Sequence, residues 1–486
     1  MSGLDDTVRA ASPIPIIVAG AKLAASAPAY PFLDHGSPLH TDPHRYIENL
    51  LKATIDSEDR QHLAEYVTIA VSWHCLEGWR YLSHAGMALL GGSRRAAIHM
   101  AYYAELRAAR SLLASSGICI RDGLHFGLDS SGDVLRFGAP KEPLLLASEP
   151  TIACALAEVL RQLARRLGRR SATKPLQAAR SIGTHVAAAR ALKRWSKVSA
   201  NGSRVIDAMR GLQYRGIDWV EAVRLSAMRD SVAAEWLSDW SIDLRALKKD
   251  SDERNIASYG VSLRSSALDP VSEEEVHFIR AMNESWLSID VGNADSLDLT
   301  ILHDFLVKAG AVIAEAESDD RKPIDLWTRL HTYLTGPGRL EAEDADSAIE
   351  GVRTAEAGPG GTVLRAAKVG NRDAMGVLAR ALLLLRLASA LLLAQWREMA
   401  KRSPGGVVLW HAELVRQYAN HTHLADTTVS LADYRDLVED QAEALDELDR
   451  WLTAGPMNSM LLWRDKSAVL CELCRFERAF LVAAAS

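Results

Sequence analysis

The chain is poor in cysteine, and its five, Cys75, Cys119, Cys154, Cys471 and Cys474, are scattered. No disulfide framework is visible, so a reducing, cytoplasmic compartment is expected. The common phosphate-cradling loops are missing too: neither GxxxxGKS/T nor GxGxxG occurs, which excludes nucleotide binding of those kinds. No GxSxG occurs, which removes the nucleophile turn of the α/β-hydrolases. A secretory leader is not expected either. Asp5 and Asp6 precede a short apolar run, residues 14–20, that soon meets Lys22, whereas a leader needs a basic start and a longer apolar stretch. Long apolar runs are scarce. The best, residues 374–396, contains LLLLRLASALLLAQW and is interrupted by Arg380 and Arg386. Each guanidinium would cost about 2.5–3.5 kcal/mol near the middle of a membrane span. A buried core helix, with no membrane partner, is the expectation.

What is present favours helices. Hydrophobic residues make up 48% of 486 positions, an ordinary globular share, and the length exceeds one compact core. Ala and Leu dominate over Val, Ile and Phe, and both lose little side-chain freedom in a helix. Residues 1–44, rich in Pro, Ala, Ser and Gly, read as an irregular N-terminal arm. The run 64–90 then places Tyr66, Ile69, Trp73, Leu76 and Tyr81 near one helical stripe, and Gly91-Gly92 breaks it. A second helix closes at Gly117, in the manner of a C-cap. Residues 118–138 change period around the turn cluster SSGD and predict a small hairpin, the only β-structure expected. Helical patterns resume to Trp240, and KKDSDERN, 248–255, enters another short helix. GPGR, an acidic patch and GPGGT make 335–372 read as an exposed loop before the Ala/Leu-rich helix 373–402. The expected fold is mainly α: a multi-domain helical protein with one small β-hairpin near 118–138. Its expected parts are the arm 1–44, a helical domain 45–268 and a C-terminal helical domain 269–486.

The strongest physical signal is a gap in one sign of charge. Between Val159 and Ile206 there is no Asp or Glu, yet twelve Lys or Arg occur there in a chain whose net charge is −6. Arg161, Arg165, Arg166, Arg169, Arg170, Arg190, Lys193, Arg194 and Lys197 are the candidate nucleic-acid contacts among them, because phosphate contacts release condensed counterions. The competing readings are neutralisation by carboxylates from elsewhere in the fold, and an acidic protein or lipid partner.

Other residues could carry chemistry. Three Arg–His pairs have the R-x4-H spacing of helical ribonucleases: Arg94/His99, Arg180/His185 and Arg416/His421. His411, Glu413, His421 and His423 lie close enough in sequence to offer a divalent metal imidazole and carboxylate ligands, or to be a solvated helix end. Cys471 and Cys474 form a lone CxxC without further ligands, and core packing is the reading. Neither metal nor cofactor is expected.

Two segments carry a resemblance. AIHMAYYAELRAARSLLASSGI, residues 97–118, resembles an early helix of the HEPN-like (higher eukaryote and prokaryote nucleotide-binding) superfamily. DERNIASYG, residues 252–260, resembles its active-site helix, R-N/H/D-x3-H. Arg254 and Asn255 match, and Tyr259 stands where His is usual. The resemblance implies a metal-independent ribonuclease, or an inactive RNA binder, working as a helical dimer in bacterial anti-phage defence. In it Arg254 would stabilise phosphate charge and Asn255 would orient it. A phenol with a pKa of about 10 is a poor base at neutral pH, so Tyr259 would donate a hydrogen bond or proton instead. The alternative is a non-enzymatic helical scaffold, a subunit of a larger assembly.

Overall fold

Ala- and Leu-rich periodic segments become helices wherever the computed structural model describes the chain. It describes residues 3–29, 33, 36–39, 42–121, 125–137, 184–198, 200–202, 204–205, 213–215, 217–219, 247, 250–251, 254, 271–287, 296–316, 325–337, 339–368, 373–422, 443–447 and 450. In chain order the first helices are α1 (Leu4–Ala10), α2 (Ile14–Ser26), α3 (Pro43–Leu50), α4 (Ser57–Leu90) and α5 (Arg94–Ser115). Strands β1 (Ile118–Cys119), β2 (His125–Leu128) and β3 (Val134–Phe137) follow, then α6 (Thr184–Trp195), β4 (Gln213–Tyr214) and β5 (Ile217–Asp218). The later helices are α7 (Glu273–Leu287), α8 (Ser296–Ala316), α9 (Leu326–Leu334), α10 (Ala342–Arg353), α11 (Pro359–Ala366), α12 (Ala374–Arg402) and α13 (Gly406–Thr422). The chain is mainly α with a small antiparallel sheet.

The long helices α4, α5 and α12 pack on one another, with α2 against α4, α12 and α13. Local chemistry sets their ends. The Asp56 carboxylate accepts from Asp59 N at 2.9 Å while Asp59 accepts from Asp56 N at 3.1 Å, a reciprocal cap at the start of α4. Asp373 caps α12 through Gly376 N at 2.7 Å. Gly117 ends α5 with φ +85°, and a Cβ there would meet Ser12 O at 2.5 Å, so both the turn and the neighbouring strand connection require glycine.

The expected hairpin is present. β2 pairs with β3 from His125↔Phe137 to Leu128↔Val134, and β1 adds a third strand, Ile118↔Gly127. In its turn Asp129 accepts from Ser131 N and Asp133 N, both at 2.9 Å. A second two-stranded sheet, β4–β5, was not expected. Its two-residue strands are too short to show a period.

Two other expectations are corrected. The arm 1–44 is helical over α1 and α2, with Ile16, Ala19, Leu23 and Ala24 buried. Pro13 caps α2 and Pro15 falls within its first turn, where a missing N–H costs nothing. The loop 335–372 contains α10, a 3-10 turn at Ala355–Ala357 and α11, again with proline in a first turn; Val352, Val363 and Leu364 are buried. Buried residues from Val8 to Leu445 form one cluster, because α12 lies against α4 and α5. The α4 stripe is correspondingly wider than expected: Leu63, Val67, Val71, Cys75, Trp79 and Leu82 are buried beside Tyr66 and Leu76, since α2, α5 and α12 all cover this helix.

α12 is long and apolar enough to cross a membrane, but 78% of its apolar window is buried inside the protein. Its two arginines explain how. Arg380 donates to both Asp250 oxygens, at 2.7 and 2.8 Å, with each side chain 2% exposed. Arg386 pairs in the same two-pronged way with Asp298. A guanidinium met by a matching carboxylate fork is tolerated in a core.

Candidate functional site

Asp250, Ser251 and Arg254 are all helical and spaced to share one face. The ion pair from Asp250 to Arg380 holds that face against α12, and so fixes where Arg254 goes. Arg254 is 8% exposed, with its Cζ 5.4 Å from the Tyr102 ring centre and 5.7 Å from that of Tyr103, both on α5. Its Nε is buried and has no hydrogen-bond partner among the described residues.

Two histidines complete the group. His185, on α6, joins Tyr102 through a 2.6 Å contact between its Nδ1 and the phenol oxygen, with the rings stacked at 5.6 Å. His99 lies on α5 with its ring 5.0 Å from Tyr103. Burial, then the Arg254 charge, pulls the His99 pKa below its ordinary value, which keeps that imidazole neutral and basic near pH 7. Burial pushes the Tyr102 phenol up to about 12, although a hydrogen bond from Ser251 opposes it. Tyr102 therefore keeps its proton near pH 7, and the protonation of the His185 ring sets which of the two donates in their contact. Beneath Tyr102, burial first and the Asp250 charge next hold the Glu105 carboxyl well above its usual range, so it stays protonated beside the Arg380 pair.

The same helices continue this group into a polar seam. α4 and α5 run antiparallel, and His99, Tyr103, Arg107 and Arg110 recur on α5 every three or four residues. They meet Tyr81, Glu77 and His74 of α4: Tyr81 stacks on Tyr103 at 5.5 Å, Arg107 Nε lies 2.9 Å from Glu77, and Arg107 Nη1 is 3.1 Å from His74 Nδ1. One end is thus aromatic and imidazole-rich, and the other is rich in arginine.

The described part of the basic strip lies elsewhere. Arg190, Lys193, Arg194 and Lys197 line a cleft of about 720 Å³ with Gly3, Leu4, Asp5 and Asp6 of the N-terminal segment. Arg194 Nε is 2.9 Å from Asp5, while Arg190, Lys193 and Lys197 are exposed. Arg204 turns inward, donating to Ser116 Oγ at 2.7 Å and Ser115 O at 2.8 Å, with burial pulling its pKa down to about 10. Two strip cations are therefore held by the protein itself. Arg161, Arg165, Arg166, Arg169, Arg170, Asn255 and Tyr259 lie outside the described residues, as do Cys154, Cys471, Cys474 and His423.

Among the described residues no group of three or more His, Cys, Asp or Glu is arranged to hold a metal ion. Glu413 is taken up by Arg416 and Gln417. His411 is buried against Trp396, ring centres 4.1 Å apart. Trp79, Trp195, Trp219 and Trp410 are fully buried and anchor the core. Of the Arg–His pairs, His99 and His185 come to Arg254, whereas Arg94 of the first pair binds Glu275 at 2.5 and 2.8 Å.

No family model, curated protein or solved structure matches the chain. The likeness to HEPN-like proteins therefore rests on the two motif segments alone.

Proposed function

We propose that the protein acts on RNA, cutting the phosphodiester chain without a metal ion at the group formed by Arg254, His99, His185, Tyr102 and Tyr103. One observation supports this reading above others: a buried guanidinium with an unused Nε stands over two tyrosines in a group with two imidazoles. Neutral His99 takes the proton of a 2′-hydroxyl, the 2′-oxygen attacks the adjacent phosphorus, and Arg254 stabilises the charge that grows on the phosphoryl oxygens. The 5′-oxygen leaves with a proton from the imidazolium form of His185, giving a 2′,3′-cyclic phosphate and a 5′-hydroxyl. Tyr81 and Tyr103 offer faces on which bases stack. The exposed cations Arg190, Lys193 and Lys197 attract the backbone at longer range. The resemblance supplies the setting, bacterial anti-phage defence in the cytoplasm, with a second copy of the chain as partner.

The test is RNA cleavage by the wild-type chain and by Arg254→Ala, with thermal unfolding as the control for folding. The expected result is loss of cleavage by about 100-fold or more, the scale of one lost charge-stabilising donor. Equal rates place the chemistry elsewhere. Absence of cleavage, together with RNA affinity that is weak and insensitive to salt, favours a helical scaffold. The Arg194–Asp5 pair and the inward Arg204 are the observations on that side.

A further inference from the structure

The arginine end of the α4/α5 seam has no role in the reading above. Arg107 is matched there by Glu77 and by His74. Arg110, one turn further along α5, makes no hydrogen bond or ion pair with the described residues, and its Nε is buried. Arg121, which leaves β1, comes to the same place. Its Nη2 donates to His44 O, but its buried Nη1 finds no acceptor among the described residues. The groups facing this pair are His44, Glu48, Tyr66, His74, Glu77 and Cys119. Three guanidiniums thus face two carboxylates, Glu77 and a Glu48 that is already paired with Lys52, and positive charge stays in excess, since burial and the neighbouring arginines hold His74 neutral. Burial and then Arg107 pull the Arg110 pKa down, as expected of a cation that lacks a counter-charge.

Contrast within the protein makes this informative. Arg380 and Arg386 are met by carboxylate forks, so the fold supplies acceptors where arginine serves the core. Among the described residues it supplies no carboxylate fork at Arg110 or Arg121, only the His44 carbonyl to one Arg121 nitrogen. The rim stays open, with the Arg107 and Glu77 side chains 22% and 20% exposed. Forked N–H donors at fixed spacing suit a tetrahedral oxyanion with several acceptor oxygens.

We propose that Arg107, Arg110 and Arg121, floored by His74 and Tyr66, form a binding site for a phosphate group. It stands on different residues from the Arg254 group, and Tyr103 is about 10 Å from Arg110 along the helix axis. The two proposals can therefore fail separately.

The experiment uses the full chain and inorganic phosphate as the probe, by calorimetric titration and thermal unfolding, with sodium chloride matched for ionic strength. Phosphate is expected to bind saturably and to raise the unfolding temperature, where chloride does not. In Arg110→Met binding should weaken at least about tenfold, the loss of one charge-assisted fork. Arg110→Met without phosphate should unfold no earlier than wild type, because an unmatched buried cation is removed. Arg121→Met, on a separate element, should weaken phosphate binding in the same direction. A short single-stranded oligonucleotide that displaces the phosphate identifies the source as a nucleic-acid backbone, whereas failure to displace it identifies a free phosphate. No saturable binding, or equal binding by both variants, overturns the proposal. So would an Arg110→Met chain that unfolds earlier in the absence of phosphate, which makes Arg110 a structural residue.

Discussion

Arg380 and Arg110 sit on neighbouring helices of one core and are met in opposite ways. Arg380 is sealed at 2% exposure with both forks on Asp250. Arg110 is set beside Arg107, with no hydrogen bond to its buried Nε among the described residues. The first is an interior charge completed by the fold, and the second is one the fold leaves to something else. The difference teaches that burial alone does not sort arginines into structural and functional, whereas the partner supplied does.

The comparison breaks most easily at its structural side. Arg380→Leu should cost about 3–5 kcal/mol, because Asp250 stays buried and charged without its partner. Denaturant unfolding measures this, and Arg380→Leu combined with Asp250→Leu should recover much of the loss. A cost near zero for Arg380→Leu would erase the distinction. The same variant should loosen the turn that carries Arg254, so any RNA cleavage should fall with it. His411 sharpens the contrast from the neutral side, as its Nε2 is buried without a partner and burial lowers its pKa to about 4. Its folded pKa lies below the unfolded value of about 6.5. Its share of stability is therefore present above pH 6.5 and lost as pH falls towards 4. The full loss is about 3 kcal/mol, and His411→Leu should remove that slope from unfolding curves measured between pH 4 and 7. The smallest expected change is that of Arg110→Met in phosphate-free buffer, near zero or slightly stabilising. Its contrast with Arg380→Leu is the point of the pair.

The helical class was legible because Ala/Leu periodicity and glycine stops are local signals, and Gly91, Gly117 and the SSGD turn act where they stand. The helices of 1–44 and 335–372 were not, because proline and glycine mark both loops and first turns, and burial by α12 decided between them. The site was half legible. Arg254, the Tyr102-Tyr103 step and both histidines of the spaced pairs are visible in the sequence, but their meeting depends on the long-range Asp250–Arg380 pair. The arginine end of the seam was missed. Its signal, Arg107 and Arg110 three apart on the Ala/Leu-rich second half of α5, acquires meaning only when α4 shows how few acids face it.

The most direct measurement is cleavage of one RNA against the same strand carrying a single 2′-deoxy nucleotide, with the ends of the products identified. A cut that leaves a 2′,3′-cyclic phosphate, and that disappears only at the bond following the deoxy position, is expected if His99 takes the 2′-hydroxyl proton beside Arg254. A cut that ignores the missing hydroxyl, or no cut in either strand, would contradict it.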